Sequence, residues 1–340
     1  MVKSENHVSS ASEMVLPGQW LNTCPTSNSS KYRPYGIAPA LLYAARCWHA
    51  CTCTAHYVWK AAVTELSRIR SILFVPGDSA KKLSRSASLP ADLILIDWED
   101  AVAEANKPDA RSVTQRALPS IRGEGRPVLV RPNSPTSAWF AEDCAALRRS
   151  QPDGVVIPKC ESVGDVDLAA EGLPGLGIIV PLIESPLGVL RAAELASCSD
   201  RVKALLFGAE DYCVESRIRR TEGEPEVTFA RSSVVNAARA MRKQVFDSPP
   251  MQYEDLAAVR RAATRGRQLG FTGQAAIHPA QLPAINGAYS PSAAEVEEAK
   301  TVLRRFEEHG GGVYSVQGSL EDYPMVREAL AVLERAGEST

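Results

Sequence analysis

The stretch GIIVPLIESPLGVLRAAELASCSDRVKALLFGAEDY, residues 177–212, decides the fold. An apolar run over 178–183 ends on Glu184, a helical pattern follows over 186–196, and a second apolar run over 204–207 delivers Glu210 and Asp211. This reads as strand, helix, strand. Strands connected in that way lie parallel in one sheet, so their C-terminal ends share a rim and Glu184 and Asp211 emerge on it together. Two hard oxygen donors on one rim suit Mg²⁺, although acidic residues after strands also serve simply as caps for the helices that follow.

The same rhythm extends to both sides. Apolar, β-rich runs recur at 71–75, 93–96, 128–130 and 155–157 before this unit and at 244–246 and 274–277 after it, with helical patterns between them. Eight such units favour a TIM (β/α)₈ barrel over an open α/β sheet, and no GxGxxG or GxxxxGK[ST] follows the first strand to argue for the open form. Beyond Pro279 the pattern turns helical, with an amphipathic helix expected over 293–308. Three glycines at 310–312 then lead into a short turn carrying Asp322 and a helix over 324–336. That tail is too small to fold alone and reads as a lid on a flexible joint or as a packing helix. The expected organisation is an N-terminal extension over 1–66, the barrel over 67–290 and a C-terminal helical lid segment over 291–340.

Composition narrows the function classes. The chain has 340 residues, 45% of them apolar and 23% charged, and its net charge of −2 makes no case for binding nucleic acid or an anionic membrane. No apolar stretch approaches the roughly 20 residues a membrane-spanning helix needs, and the N-terminus has no compact charged-then-apolar signal, so a soluble, cytoplasmic protein is expected. Residues 1–66 are rich in Ser, Thr, Asn and Pro and then mix aromatics with Cys47, His49, Cys51, Cys53 and His56. Their alternate-residue spacing matches no usual zinc template, and a poorly ordered extension is the expected reading. Cys144, Cys160, Cys198 and Cys213 are scattered and read as small apolar residues in a reducing compartment.

In a barrel enzyme the working groups stand where strands end. Those positions hold Asp97, Glu99 and Asp100 after strand two, Arg131 and Asn133 after strand three, and Lys159 after strand four. Glu184, Glu210, Asp211, Asp247 and His278 follow strands five to eight. So many carboxylates repel one another unless a cation, or Arg and Lys partners, neutralise them. Asp97, Glu99 and Asp100 either join such a centre or pair with Arg131 and Lys159 to stabilise the barrel mouth. The planar fork of Arg131 suits a substrate carboxylate. His278 reads as a satisfied loop histidine, and an acid-rich rim keeps Lys159 charged, against a Schiff-base role.

Seven motifs then fall in a familiar order: RSILFVPG (70–77), LIDWEDAV (95–102), VLVRPN (128–133), VVIPK (155–159), PLIESPLGV (181–189), LLFGAEDY (205–212) and AIHPAQ (276–281). They resemble the citrate lyase beta subunit family, grouped with malyl-CoA and citramalyl-CoA lyases in the HpcH/HpaI aldolase and citrate lyase superfamily. The resemblance implies a TIM barrel that binds Mg²⁺ through Glu184 and Asp211 and a substrate carboxylate through Arg131; Glu184, Phe74 and the strand-end Asp247 are expected with Arg131 among the substrate-binding residues. It implies that GSLEDYPMV is a lid closing over a neighbouring subunit, with Asp322 as its catalytic carboxylate, and that Phe74 and Arg85 lie where CoA is held. Trp98 stands where the family commonly has Leu or Phe, and a change of pocket shape is expected from it.

The implied reaction is Mg²⁺-dependent reversible cleavage of a citryl-, malyl- or citramalyl-type 3-hydroxyacyl-CoA thioester into a 2-oxo acid and an acyl-CoA. Two other readings are a CoA-independent metal aldolase and a citrate lyase subunit working on a carrier-protein thioester. The expected assembly is a homotrimer or a dimer of trimers.

Overall fold

The computed structural model describes residues 66–122, 125–310, 313–316 and 319–338. The expected extension over 1–66, apart from Leu66, therefore lies outside the described residues, and its Cys and His residues with it. Eight strands, β1 (Ser71–Pro76), β2 (Leu93–Asp97), β3 (Val128–Arg131), β4 (Gly154–Ile157), β5 (Ile178–Ile183), β6 (Ala204–Phe207), β7 (Gln244–Asp247) and β8 (Gly273–Ala276), pair in parallel and in sequence order. The barrel closes where Ser71 pairs with Gln274 and Leu73 with Ala276.

Helices return the chain from the rim to the start of the next strand. They are α1 (Ala80–Ser86), α2 (Lys107–Arg122), α3 (Phe140–Ser150), α4 (Val163–Gly172), α5 (Pro186–Ser197), α6 (Ala209–Glu215), α7 (Thr228–Ala240), α8 (Leu256–Leu269) and α9 (Leu282–Tyr289). Local signals start them. Ser185 caps α5 through the Gly188 N–H with Pro186 in the first turn, and Asp255 caps α8 through the N–H groups of Ala257 and Ala258. No helix among the described residues is long and apolar enough to cross a membrane.

Side-chain alternation sorts the strands into two cores. Ile72, Leu93, Leu95, Leu129, Val156, Val180, Leu182, Leu206 and Phe246 meet one another inside the barrel. Their neighbours Leu73, Ile94, Ile96, Val130, Val155, Ile157, Ile183, Phe207 and Val245 face outward and pack with helix residues such as Leu83, Leu118, Leu147, Val166, Leu195 and Val234.

After the barrel come α10 (Ala293–Glu308), the antiparallel pair β9 (Tyr314–Val316) and β10 (Ser319–Glu321), and α11 (Tyr323–Ala336). The strand pair replaces the plain turn expected before Asp322. α10 and α11 share a small core of their own, built from Val296, Ala299, Val302, Val326, Ala329, Val332 and Leu333. Glu338, just past α11, pairs with Lys300 of α10 at 2.8 Å.

Candidate active site

A cavity of about 410 Å³ opens at the C-terminal rim of the barrel. A larger one of about 700 Å³ lies at the opposite end, among Ile69, Arg70, Thr272 and the C-terminal end of α11. The smaller cavity is the candidate site, because chemistry in this fold is carried by the C-terminal ends of the strands.

Strand parity explains which residues reach it. Counting in twos from inward Ile72, Leu95, Leu129, Leu182, Leu206 and Phe246 brings Phe74, Asp97, Arg131, Glu184, Gly208 and Ser248 over the barrel axis, and all six line the cavity. Arg131 is buried and held by Asp97 in two parallel bonds, Nε to Oδ1 at 2.8 Å and Nη2 to Oδ2 at 2.6 Å. Its Nη1 lies 3.0 Å from Glu99 and 3.4 Å from Asp100, and its guanidinium stacks 5.2 Å from the Phe74 ring centre. Burial alone would lower the Arg131 pKa, but the hydrogen bonds and charge of Asp97, with Glu99 and Asp100, outweigh it and raise it. The pairing of this acidic trio with Arg131, left open by the sequence, is thus present, and Lys159 joins it through a 2.8 Å bond from Nζ to Glu99. That bond raises the Lys159 pKa, which keeps the amine charged and unsuited to a Schiff base.

Glu184 is only 3% exposed. Burial pushes its carboxyl up to about 8; Arg131 and the Lys159 N–H oppose the shift, and the charges of Asp211 and Glu99 add to it. Its Oε1 accepts the Lys159 N–H at 2.7 Å. Its Oε2 lies over Gly208, where an added Cβ would come within 2.9 Å of it. Gly208 leads directly into α6, whose exposed first turn carries Glu210 and Asp211.

Five carboxylates (Asp97, Asp100, Glu184, Glu210, Asp211) and two guanidinium groups (Arg131, Arg220) line the cavity. Among the described residues no three Asp, Glu, His or Cys side chains converge as a ready cage. The donor set still fits Mg²⁺, which keeps several waters and takes only one or two protein carboxylates. The Asp211 charge adds to the upward shift of Glu184, which has an oxygen to spare, and a dication would restore Glu184 to the ionised form.

Other sequence expectations place differently. Asp247 has outward parity, like Val245, and is spent on Arg231, which donates Nε to Oδ1 at 3.2 Å and pairs again through Nη2. It does not line the cavity; its neighbour Ser248 does. Arg85 is exposed in the last turn of α1, away from the cavity lining. Asp322 caps the start of α11 without a side-chain bond to its N–H groups and does not line the cavity of its own barrel. Trp98 also has outward parity; its Nε1 donates to Thr114 at 2.8 Å and its ring packs on Gly77, so it shapes the helix layer and not the cavity. His278 accepts the Ala280 N–H through Nδ1 and packs on Tyr253, as a satisfied loop residue does.

Two lining residues escape a search of strand ends. Arg220 lies in the loop after α6; its buried guanidinium pairs with Glu210 at 2.5 Å and with Glu224. Ser248 donates to the Phe207 carbonyl at 2.8 Å and accepts the Ala209 N–H at 2.7 Å, which ties the rim of β6 to β7.

Several known proteins are similar to this chain. The citrate lyase subunit beta of Escherichia coli (strain K12) is 36% identical over 280 residues, covering 78% of this chain and 93% of that protein. A (3S)-malyl-CoA thioesterase of Cereibacter sphaeroides (strain ATCC 17025) is 33% identical, covering 78% of this chain and 94% of its own length. The crystal structure of CitE from Mycobacterium tuberculosis, in complex with magnesium, acetoacetate and coenzyme A, superposes with a TM-score of 0.71 at 29% identity, covering 80% of this chain and 100% of that one. The HpcH/HpaI aldolase/citrate lyase model matches residues 70–279. The chain belongs to the HpcH/HpaI aldolase/citrate lyase family and is a lyase.

Proposed function

We propose that this protein catalyses Mg²⁺-dependent, reversible cleavage of a 3-hydroxyacyl-CoA thioester into a 2-oxo acid and an acyl-CoA. The observation that carries the reading is the convergence of Glu184, Asp211 and Arg131 on one cavity. The magnesium, acetoacetate and coenzyme A held by the Mycobacterium tuberculosis relative support it.

Glu184 and Asp211 would hold the ion, which when bound supplies Lewis acidity and a template for the oxo acid. Arg131 faces the oxygen that alternates between hydroxyl and carbonyl and neutralises the charge that develops there. The paired bonds from Asp97 and the stacked Phe74 ring keep that guanidinium aimed without reorganisation. Asp322, delivered by the C-terminal segment of a neighbouring subunit, carries one proton: in cleavage it accepts it from the hydroxyl and returns it to the α-carbon of the acyl enolate, and in condensation it takes it from that carbon and gives it to the alkoxide. The active form is then an oligomer, proposed as a homotrimer or a dimer of trimers. Cytoplasmic residence fits the free thiols of Cys144, Cys160, Cys198 and Cys213.

The test is a panel of malyl-, citramalyl- and citryl-CoA with and without Mg²⁺, with oxo acid and free thiol followed separately. Oxo acid without thiol release is expected. Thiol release without oxo acid would establish instead a thioesterase, the activity named for the Cereibacter relative. Inactivity on every CoA thioester would leave the carrier-dependent subunit reading favoured by the Escherichia coli relative.

A further inference from the structure

Lys159 has φ = 50°, in the left-handed region that residues with a Cβ rarely occupy. It stands immediately past β4 and Pro158 at the rim, and two contacts hold it there. Its main-chain N–H meets Glu184 Oε1 at 2.7 Å, and its Nζ meets the buried Glu99 at 2.8 Å. Glu99 lies in turn 3.0 Å from Arg131. A residue that keeps an unfavourable backbone conformation does so because its surroundings over-determine it, and such residues cluster where geometry is functional.

We infer that Lys159 is a positioning residue whose left-handed backbone aims its N–H at Glu184 Oε1, so that the carboxylate presents Oε2 over Gly208 toward Asp211, while the Glu99 contact latches the turn. The inference rests on the reading of Glu184 as a metal ligand. It assigns the main chain of Lys159, rather than its ammonium group, the decisive part. Partners that fix a metal-binding side chain are worth about 10- to 100-fold in metal affinity.

Two substitutions separate backbone from side chain. Lys159→Gly removes the ammonium group but adopts positive φ freely and retains the N–H. Lys159→Val removes the ammonium group and resists positive φ. Mg²⁺ titration by calorimetry on the full chain, without substrate, is expected to show Lys159→Val weakened about 10- to 100-fold and Lys159→Gly clearly closer to the parent. Equal weakening in the two variants, or none in Lys159→Val, overturns the inference. Should Lys159→Val fail to fold, Lys159→Ala takes its place with the same ranking against Lys159→Gly.

Hydrogen exchange of the Lys159 amide without added metal reads the same contact independently. Slow exchange in the parent and fast exchange in Glu184→Ala are expected, and fast exchange in the parent overturns the inference. A parent that binds no Mg²⁺ while this amide stays protected refutes the metal reading and supports the positioning contact.

Discussion

Asp247 and Ser248 are adjacent in sequence and face opposite layers. Asp247 is 1% exposed and pairs with an equally buried Arg231, which also meets Glu224 at 3.2 Å. Removing one partner of a buried ion pair strands the other charge, so Asp247→Asn is expected to cost about 3 kcal/mol of stability in urea unfolding while leaving KM for the oxo acid unchanged. A raised KM with unchanged stability would return Asp247 to the substrate. Gly208 is the converse case: it carries no chemistry, yet a Cβ there would sit 2.8 Å from Glu184 Cβ. Gly208→Ala is expected to lower kcat by about 10- to 100-fold through displacement of that carboxylate, and to cost about 1–3 kcal/mol of stability from the overpacked contact. An unchanged kcat would mean that Glu184 tolerates the shift. Residue types at strand ends were legible in the sequence. Their direction was not, because the period-two count runs from the packed strand, and its origin is known only once inner and outer cores are distinguished.

At the scale of elements, the C-terminal pair α10 and α11 shows how much local sequence can specify. Ser292 and Glu295 form a reciprocal cap at the start of α10, and Arg267 of α8 reaches Glu295 at 2.5 Å. Burial, the largest single influence, pushes the Glu295 carboxyl up, but the bonds from Ser292 and Arg267 together prevail and hold it at about 2. A carboxylate held lower in the folded chain than in the unfolded one contributes stability above its unfolded value near 4.5, and loses it as the pH falls through about 2. The group is largely exposed, so solvent screening limits the gain to about 0.5–1 kcal/mol. Glu295→Gln is therefore expected to be less stable than the parent by that amount at pH 7, with the gap closing between about pH 4.5 and pH 2. Parallel urea melts check it, and a gap that persists at pH 2 would remove the charge from the account. Helix limits in this region were readable from Ser, Pro and Gly signals. The β9–β10 pair was not, since two three-residue strands carry too short an alternation to stand out from a turn.

For the molecule as a whole, the decisive element is the C-terminal segment proposed as a lid. Asp322 does not line the cavity of its own barrel, and the proposed mechanism has it act on a neighbour. Asp322→Asn and Glu184→Gln are each expected to abolish turnover alone. Dissociated together and reassembled, they are expected to regain activity, because mixed oligomers contain interfaces with one intact barrel facing one intact lid. No recovery in demonstrably mixed oligomers would place the lid over its own barrel or remove Asp322 from the reaction.

The sequence by itself determined the eight alternating units, the parallel connection that brings Glu184 and Asp211 to a common rim, and the Arg131 that joins them. Those features are written in local periodicity and in the residue that ends each apolar run, and no distant contact is needed to read them. Only the tertiary structure decided that Asp247 turns away, that Arg220 enters from a loop, that Asp97 fixes Arg131 through two parallel bonds and that Lys159 turns its main chain onto Glu184. Each of these depends on how strands, loops and helices pack once the barrel has closed, and a linear pattern carries no record of that packing.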